Sequence, residues 1–390
     1  MKRTYFDHAA TTPTRPEVLE TMLPFFNQQY GNASSLHQEG QAAAQAIERA
    51  RSQLAALIGA SSKEIIFTSG GTESDNTALK GTGIISKKKH LIVSAIEHHA
   101  VLFTAKAMEK MGYTLTVLPV DSIGKVDPDS VKKAIQPDTF LISVMLANNE
   151  IGTIQPIREI SSIAREAGVL MHTDAVQVVG NYPVNVEELG CDMLSLSAHK
   201  FYGPKGVGAL YVRKGTPIVA WMDGGEQEHG KRSGTYNTPG IVGAGKAAEL
   251  AMNEMQERIT SVKKLRDYLL TELPKRVEDI RINGSLTDRL PNNIHLSVRY
   301  VEGESLLLYL DDAGFAVSTG SACSSHSLKI SHVLQAIGLD AVASQGSLRI
   351  TLGQENSRED IDRFLDVLPK VVGDLRAISP LFKSKKQEAR

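Results

Sequence analysis

The chain has 390 residues, 42% hydrophobic and 22% charged, room for two or three domains at about 150 residues each. Its two cysteines, Cys191 and Cys323, exclude a disulfide-rich secreted scaffold and a zinc site built from several cysteines. With 43 Lys plus Arg against 44 Asp plus Glu, the formal charge is −1, which gives no electrostatic case for nucleic acid or an anionic membrane as main partner.

No apolar run approaches the ~20 residues of a membrane-spanning helix, and the start, Met1 to His8, has no signal-peptide stretch. The starting expectation is a soluble, cytoplasmic α/β protein. Strands are predicted at Glu64–Thr68, His90–Ala95, Leu115–Val120, Phe140–Leu146, Val169–His172, Met193–Leu196 and Gly208–Val212. Several are apolar on both faces, as in a buried, mostly parallel sheet. Helices are predicted between them at Glu73–Gly83, Ala100–Met111, Pro128–Ile135 and Ile157–Ala167. That alternation reads as an open α/β sheet covered by helices. Beyond residue 240 the pattern changes. A helix over Gly240–Ile259 is followed, after a break, by one over Ser261–Arg276. A smaller α+β unit follows: strand Ile294–Val298, helix Glu304–Asp312, strands Phe315–Ser318 and Leu348–Leu352, and helix Arg358–Val372. The expected division is a large domain over 15–255, a small one from 1–14 and 256–375, and a polar tail over 376–390.

Four clusters interrupt the core pattern beside strand ends, where open α/β sheets bind ligands. The first, Thr68 to Ser74 (TSGGTES), joins a strand to a helix. Its glycines allow a tight turn, and the backbone N–H groups that follow, with the Thr72 hydroxyl, point out of a helix N-terminus, a phosphate cradle. It lacks the lysine of a nucleotide-binding loop, and a Thr/Glu capping pair would also explain it. The second, His172 to Gln177, ends a strand with Asp174, an acid suited to a cationic ring nitrogen or to a helix cap. The third, Ser195 to Gly206, holds Lys200 after a strand and before a Gly/Pro turn. A lysine so placed, beside apolar surface and another cation, is the kind that reacts with carbonyls. Ser197 and His199 flank it, ready for an anion. The fourth, Ser318 to Ser327, places Cys323 among small polar residues without apolar periodicity, a reactive setting, with His326 three residues on. Cys191, beside an apolar strand, reads as core packing.

Weaker signals accompany these. His98-His99 follows a strand, but adjacent residues do not share a helix face for a metal. Asn148-Asn149-Glu150 closes another strand. Gly224 to Gln227 and Lys231 to Thr235 form a Gly-rich basic loop. Arg349 stands alone in an apolar strand, which calls for an anion, either structural or a substrate carboxylate.

These motifs, together with Asp7 to Pro13, Tyr30-Gly31-Asn32 and Ser347 to Ile350, resemble the NifS/IscS-like cysteine desulfurases. These belong to the pyridoxal-phosphate (PLP) enzymes of fold type I and the class V aminotransferases. The resemblance runs from Tyr5 to about residue 370. It implies a large domain with a mostly parallel seven-stranded sheet plus a smaller α+β C-terminal domain. It implies that Lys200 carries the cofactor covalently, that Asp174 pairs with the ring nitrogen and Gln177 with the ring hydroxyl. His98 would stack on the ring and exchange protons. Gly71, Thr72, Ser197 and His199 would hold the phosphate, joined by Thr235 from a neighbouring subunit, hence a homodimer. Asn149 would face both cofactor and substrate. Arg349, Asn149 and Asn32 would bind the substrate carboxylate, and Cys323 would accept sulfur. The reaction implied converts L-cysteine to L-alanine and a persulfide. The sulfur would pass to an iron–sulfur scaffold or a tRNA-thiolating enzyme. No metal, membrane or direct nucleic-acid partner is expected. The Gly-rich segment at Met222 to Gln227 departs from relatives in lacking a third glycine. The longer stretch from Cys323 to Arg349 sets the chain apart from selenocysteine-preferring relatives. A selenocysteine lyase or another class V PLP enzyme is the alternative. A PLP-independent sulfur-relay protein using Cys323 alone would leave Lys200 and Asp174 unexplained.

Overall fold

The computed structural model describes residues 3–320 and 330–382. The chain opens with β1 (Thr4–Tyr5), α1 (Pro16–Met22), α2 (Pro24–Asn27) and α3 (Gln38–Leu57). Alternation follows in β2 (Ile65–Thr68), α4 (Gly71–Ile85), β3 (His90–Ser94), α5 (His99–Lys110) and β4 (Thr114–Leu118). It continues in α6 (Pro128–Ala134), β5 (Thr139–Ser143), α7 (Ile157–Glu166), β6 (Leu170–Asp174) and α8 (Val186–Leu189). Next come β7 (Met193–Ser197), β8 (Gly208–Val212), α9 (Gln227–Gly230) and α10 (Thr238–Arg276). The rest is β9 (Ile280–Ile282), β10 (Asn293–Val298), α11 (Gly303–Asp312), β11 (Phe315–Ala316), α12 (His332–Ala336), α13 (Ala341–Gln345), β12 (Ser347–Thr351) and α14 (Arg358–Ile378).

Seven strands form one sheet in the order β2-β8-β7-β6-β5-β3-β4. Only β8 runs against its neighbours, antiparallel to β2 and β7. Every residue of β2, β3, β5, β7 and β8 is buried, which is why their sequences show runs rather than alternation. The carboxyl ends of the parallel strands, Thr68, Ser94, Ser143, Asp174 and Ser197, share one edge. The smaller sheet is antiparallel, in the order β12-β10-β9. The N-terminal segment joins its core: Phe6 lies 5.9 Å from Phe315 and 5.7 Å from Phe364, centroid to centroid.

Several boundaries differ from those read in the sequence. The break expected near residue 260 is absent, and α10 runs unbroken for 39 residues. Nothing between Gln256 and Lys264 stops a helix, and Thr260 donates its hydroxyl to Gln256 O at 2.8 Å within the helix. Its first half buries Ile241, Ala244 and Ala248 in the core of the large sheet, and its second half buries Val262, Leu269 and Leu273 in the other core. The final helix continues beyond Val372 to Ile378. The strand expected over Phe140–Leu146 ends at Ser143, and the chain then turns through the Ala147–Ile154 bridge. Phe315–Ser318 contracts to two residues pairing with β1, followed by a bridge from Ser318 to Arg349. Helix α3 was not anticipated. Its buried face includes Gly40, Ala43, Ala50 and Ala55, small residues that carry a weak hydrophobic signal.

Candidate active site

The turn after β2 is built for close approach. No side chain caps α4, so its first-turn N–H groups are left to an anion. The expected Thr/Glu capping pair is not what forms. Glu73 instead accepts from Ser69 N at 2.8 Å and from Arg232 Nε at 2.8 Å, fastening the turn to the basic loop. A Cβ on Gly71 would stand 2.6 Å from Val176 Cγ2, and one on Gly208 would stand 2.6 Å from Gly70 Cα. Ser197 Oγ lies 3.8 Å from the Cβ position of Gly70, so the end of β7 reaches the same turn. Thr72 is exposed at its mouth.

Lys200 ends a 3-10 turn, Ala198–Lys200, directly after β7. Its Nζ donates to Ala9 O and, at 2.8 Å, to Ala10 O. Gln177 Nε2 donates to the same Ala9 O at 3.0 Å. His199 Nδ1 lies 3.1 Å from Thr11 Oγ1, and Thr12 Oγ1 donates to His199 O at 2.9 Å. The N-terminal segment thus forms one wall, bringing Lys200, Gln177 and His199 together. Asp174 ends β6, and its Oδ1 accepts from Val176 N at 2.9 Å. Burial pushes its carboxyl up to about 6, against that hydrogen bond and the Lys200 charge. His98 caps α5, with Nδ1 accepting from Ala100 N at 3.1 Å, so the proton of its neutral ring sits on Nε2. Burial first, then the Lys200 charge, brings His98 down to about 4. Burial and Lys200 do the same to His199, also to about 4.

Beneath these groups lies a layer that sequence reasoning missed. One ligand atom each from Asp75, His98 and Asp174 lies within 4.8 Å of the others. Asp75 Oδ1 has no hydrogen-bond partner among the described residues and lies 3.7 Å from His172 Nε2. His172 is held by Ser143 Oγ at 2.8 Å and Ser195 Oγ at 2.9 Å. Burial keeps that ring neutral, with its pKa lowered to about 3. The available signal was positional: Asp75 stands one helical turn after Gly71, an acid on the buried face of α4.

Arg349 is buried in β12. Its Nη2 donates to Asp7 Oδ1 at 2.9 Å and its Nη1 to Asn149 O at 3.1 Å, while Nε has no partner among the described residues. Its anion here is Asp7, the structural alternative, with Nε left for a second. Asn149 reaches this group through its backbone. Asn32 is exposed, and its Oδ1 accepts from Ser34 N at 3.0 Å. Thr235 is exposed in the loop that Arg232 fastens to Glu73. Cys323 and His326 lie outside the described residues. Cys191 is fully buried, and burial pushes its thiol up to about 12, as befits core packing.

Residues 4–364 match the family described as aminotransferase class-V. Cysteine desulfurase IscS of Dictyoglomus turgidum is 57% identical over 383 residues, 97% of either chain. The chain belongs to the cysteine desulfurases of this family. A solved NifS-like protein superposes with a TM-score of 0.90 at 41% identity, covering 96% of this chain and 100% of that one. A structure described as SspA in complex with cysteine has a TM-score of 0.80 at 37% identity, covering 90% of this chain and 99% of that one. Cysteine desulfurases of class V are PLP enzymes, and the residues present fit that group. The uncapped turn, the crowded Gly71, the buried Asp174 and the Lys200 ammonium supply sites for a phosphate, a flat ring, a ring cation and an aldehyde. Among the described residues no helix is long and apolar enough to cross a membrane.

Proposed function

We propose that the chain converts L-cysteine to L-alanine and carries the released sulfur as a persulfide on Cys323. The observation that carries this reading is the convergence of Lys200, Asp174, His98 and the α4 turn on one sheet edge, in a chain of this family. Lys200 Nζ, Asp174, Gln177, His98, Gly71, Thr72, Ser197, His199 and Asn149 would hold PLP, with Thr235 reaching the phosphate of a second subunit. Bound PLP supplies an electron sink that acidifies the substrate Cα–H. Asp174 holds the proton of the ring nitrogen, and its buried setting strengthens that pair. Lys200 Nζ takes the proton from Cα and returns one. His98, neutral and protonated on Nε2, would lie against the cofactor ring and exchange protons. Arg349, with Asn149 and Asn32, binds the substrate carboxylate through a charge-assisted hydrogen bond. The Cys323 thiolate attacks the substrate sulfur. Its S–S bond forms as the substrate Cβ–S bond breaks, and the electron pair left on Cβ takes a proton to give alanine.

Cysteine as substrate is supported by the SspA complex, whose description names that ligand. A homodimer is supported by a concentration of exposed apolar side chains on one stretch: Leu19, Leu23, Phe26, Tyr30 and Leu36. We assign the sulfur to an acceptor protein, an iron–sulfur scaffold or a tRNA-thiolating enzyme. The division into a large domain over 15–255 and a small one from 1–14 and 256–375 is supported by the two largest of four apolar clusters, which follow it except at Leu290.

The test pairs two variants of the PLP-loaded enzyme. Cys323→Ala keeps the cofactor absorbance near about 400 nm and forms no persulfide from cysteine. Lys200→Ala loses that band. Undiminished sulfur transfer by Cys323→Ala would sink the assignment.

A further inference from the structure

Glu150 belongs to the Asn148-Asn149-Glu150 motif, in which only Asn149 has a role so far. It follows β5 at the ligand edge of the sheet and is 4% exposed. Its backbone is pinned: Glu150 N donates to Asn148 Oδ1 at 2.9 Å, and Glu150 O accepts from Asn293 Nδ2 at 2.9 Å. Asn148 is itself anchored, its Nδ2 donating to Ile96 O at 2.8 Å. The side chain therefore issues from a rigid support.

Two distant parts of the chain meet at one oxygen of this side chain. Ser331 Oγ donates to Glu150 Oε2 at 2.6 Å while accepting from Val333 N at 3.1 Å as the cap of α12. Gly320 abuts the same atom, since a Cβ there would stand 2.3 Å from Glu150 Oε2 and 3.1 Å from His295 Nε2. Just before Gly320, Ser318 exchanges backbone hydrogen bonds with Arg349, whose Nη1 reaches Asn149 O at 3.1 Å. Gly320 and Ser331 bracket the residues that include Cys323. Burial raises the Glu150 carboxyl above its usual range, opposed by Ser331 and Arg349. An amide would serve equally as the acceptor for Ser331.

We propose that Glu150 is a positioning residue that fixes the chain on both sides of Cys323 at the active-site edge. The proposal rests on Cys323 being the sulfur acceptor. The physical ground is proximity: a nucleophile three residues beyond Gly320 is delivered at a rate set by where its attachment begins.

The experiment uses the PLP-loaded enzyme with L-cysteine. It reads two events: the change in cofactor absorbance when cysteine binds, and single-turnover persulfide formation at Cys323 by mass. In Glu150→Ala the persulfide rate falls about 10-fold, while the absorbance response stays within twofold of wild type. Glu150→Gln, which keeps an acceptor for Ser331, recovers the rate to within threefold. Ser331→Ala removes the same hydrogen bond with Glu150 in place, shows the same split, and decides the matter if Glu150→Ala does not fold. A wild-type persulfide rate in Glu150→Ala or Ser331→Ala overturns the proposal. So does a parallel fall of both readouts, or a Glu150→Gln no better than Glu150→Ala. Cys323→Ala run alongside separates the two readings: persulfide transfer in that variant defeats the acceptor assignment itself, whatever Glu150 does.

Discussion

Glu97 shows how the site's buried carboxyls couple stability to pH. It stands beside His98, fully buried, with Oε1 accepting from Met145 N at 2.8 Å and from Ser94 Oγ. Its Oε2 has no partner among the described residues. Burial pushes the carboxyl up to about 8. A carboxyl raised in the folded state binds its proton more tightly than in the unfolded chain. Its contribution is full below the unfolded value of ~4.3 and is lost as pH rises through about 8. Glu97→Gln keeps the accepting oxygen and cannot ionise. Its stability advantage over wild type should be small near pH 5 and grow towards about pH 9. Denaturant midpoints at both values check this, and identical pH dependence in the two proteins would refute it. Lys200, Asp174 and His98 were legible as candidates because each lies at or just beyond a strand end, where the core pattern stops. Asp75 and His172 were not, because inside buried elements nothing local distinguishes an acid or imidazole facing a site from one satisfied by its neighbours.

At the scale of elements, the strands were legible and the helix contacts were not. Buried strands announce themselves by apolar runs, whereas α3 packs on α10 through residues too small to register. A Cβ on Gly245 of α10 would stand 2.5 Å from Ala50 Cα of α3. Alanine gains ~1 kcal/mol of helix propensity over glycine, but here it must displace a backbone, which costs about 1–3 kcal/mol. Gly245→Ala should therefore lower the denaturation midpoint, and a raised midpoint would show that the two helices can separate without cost. The phosphate turn depends on a second packing device. Arg51 of α3 grips Glu228 with two bonds, 2.6 and 2.7 Å, and Glu228 Oε2 accepts from Phe67 N of β2 at 2.9 Å. Both side chains are buried. Glu228→Ala removes the buried partner of Arg51, whose guanidinium keeps only Glu48 and Ile65 O, and should cost up to about 3–5 kcal/mol. It should also weaken PLP affinity, read by titrating cofactor-free protein, because Phe67 precedes the turn. Unchanged stability and affinity would separate this pair from the site.

At the scale of the whole molecule, the dimer reading makes a prediction about Thr235, which is exposed in the single chain. Sedimentation should give twice the 42.3 kDa chain mass. Thr235→Val should weaken PLP binding several-fold, about the loss of one hydrogen bond to a charged group, and leave the dimer intact. A monomer, or wild-type affinity in the variant, would contradict the reading. Fold class, the sheet's strands and the candidate site residues at strand ends could be read from the chain in one dimension, because apolar periodicity and strand-end breaks are local properties. What residues hundreds of positions apart do to one another could not. That the wall facing Lys200 comes from Ala9 and Ala10, that Arg349 meets Asp7, and that one oxygen of Glu150 touches both Gly320 and Ser331 are outcomes of chain crossing. Long-range contacts follow from how packed layers bury their shared surface, and no window of sequence contains that information.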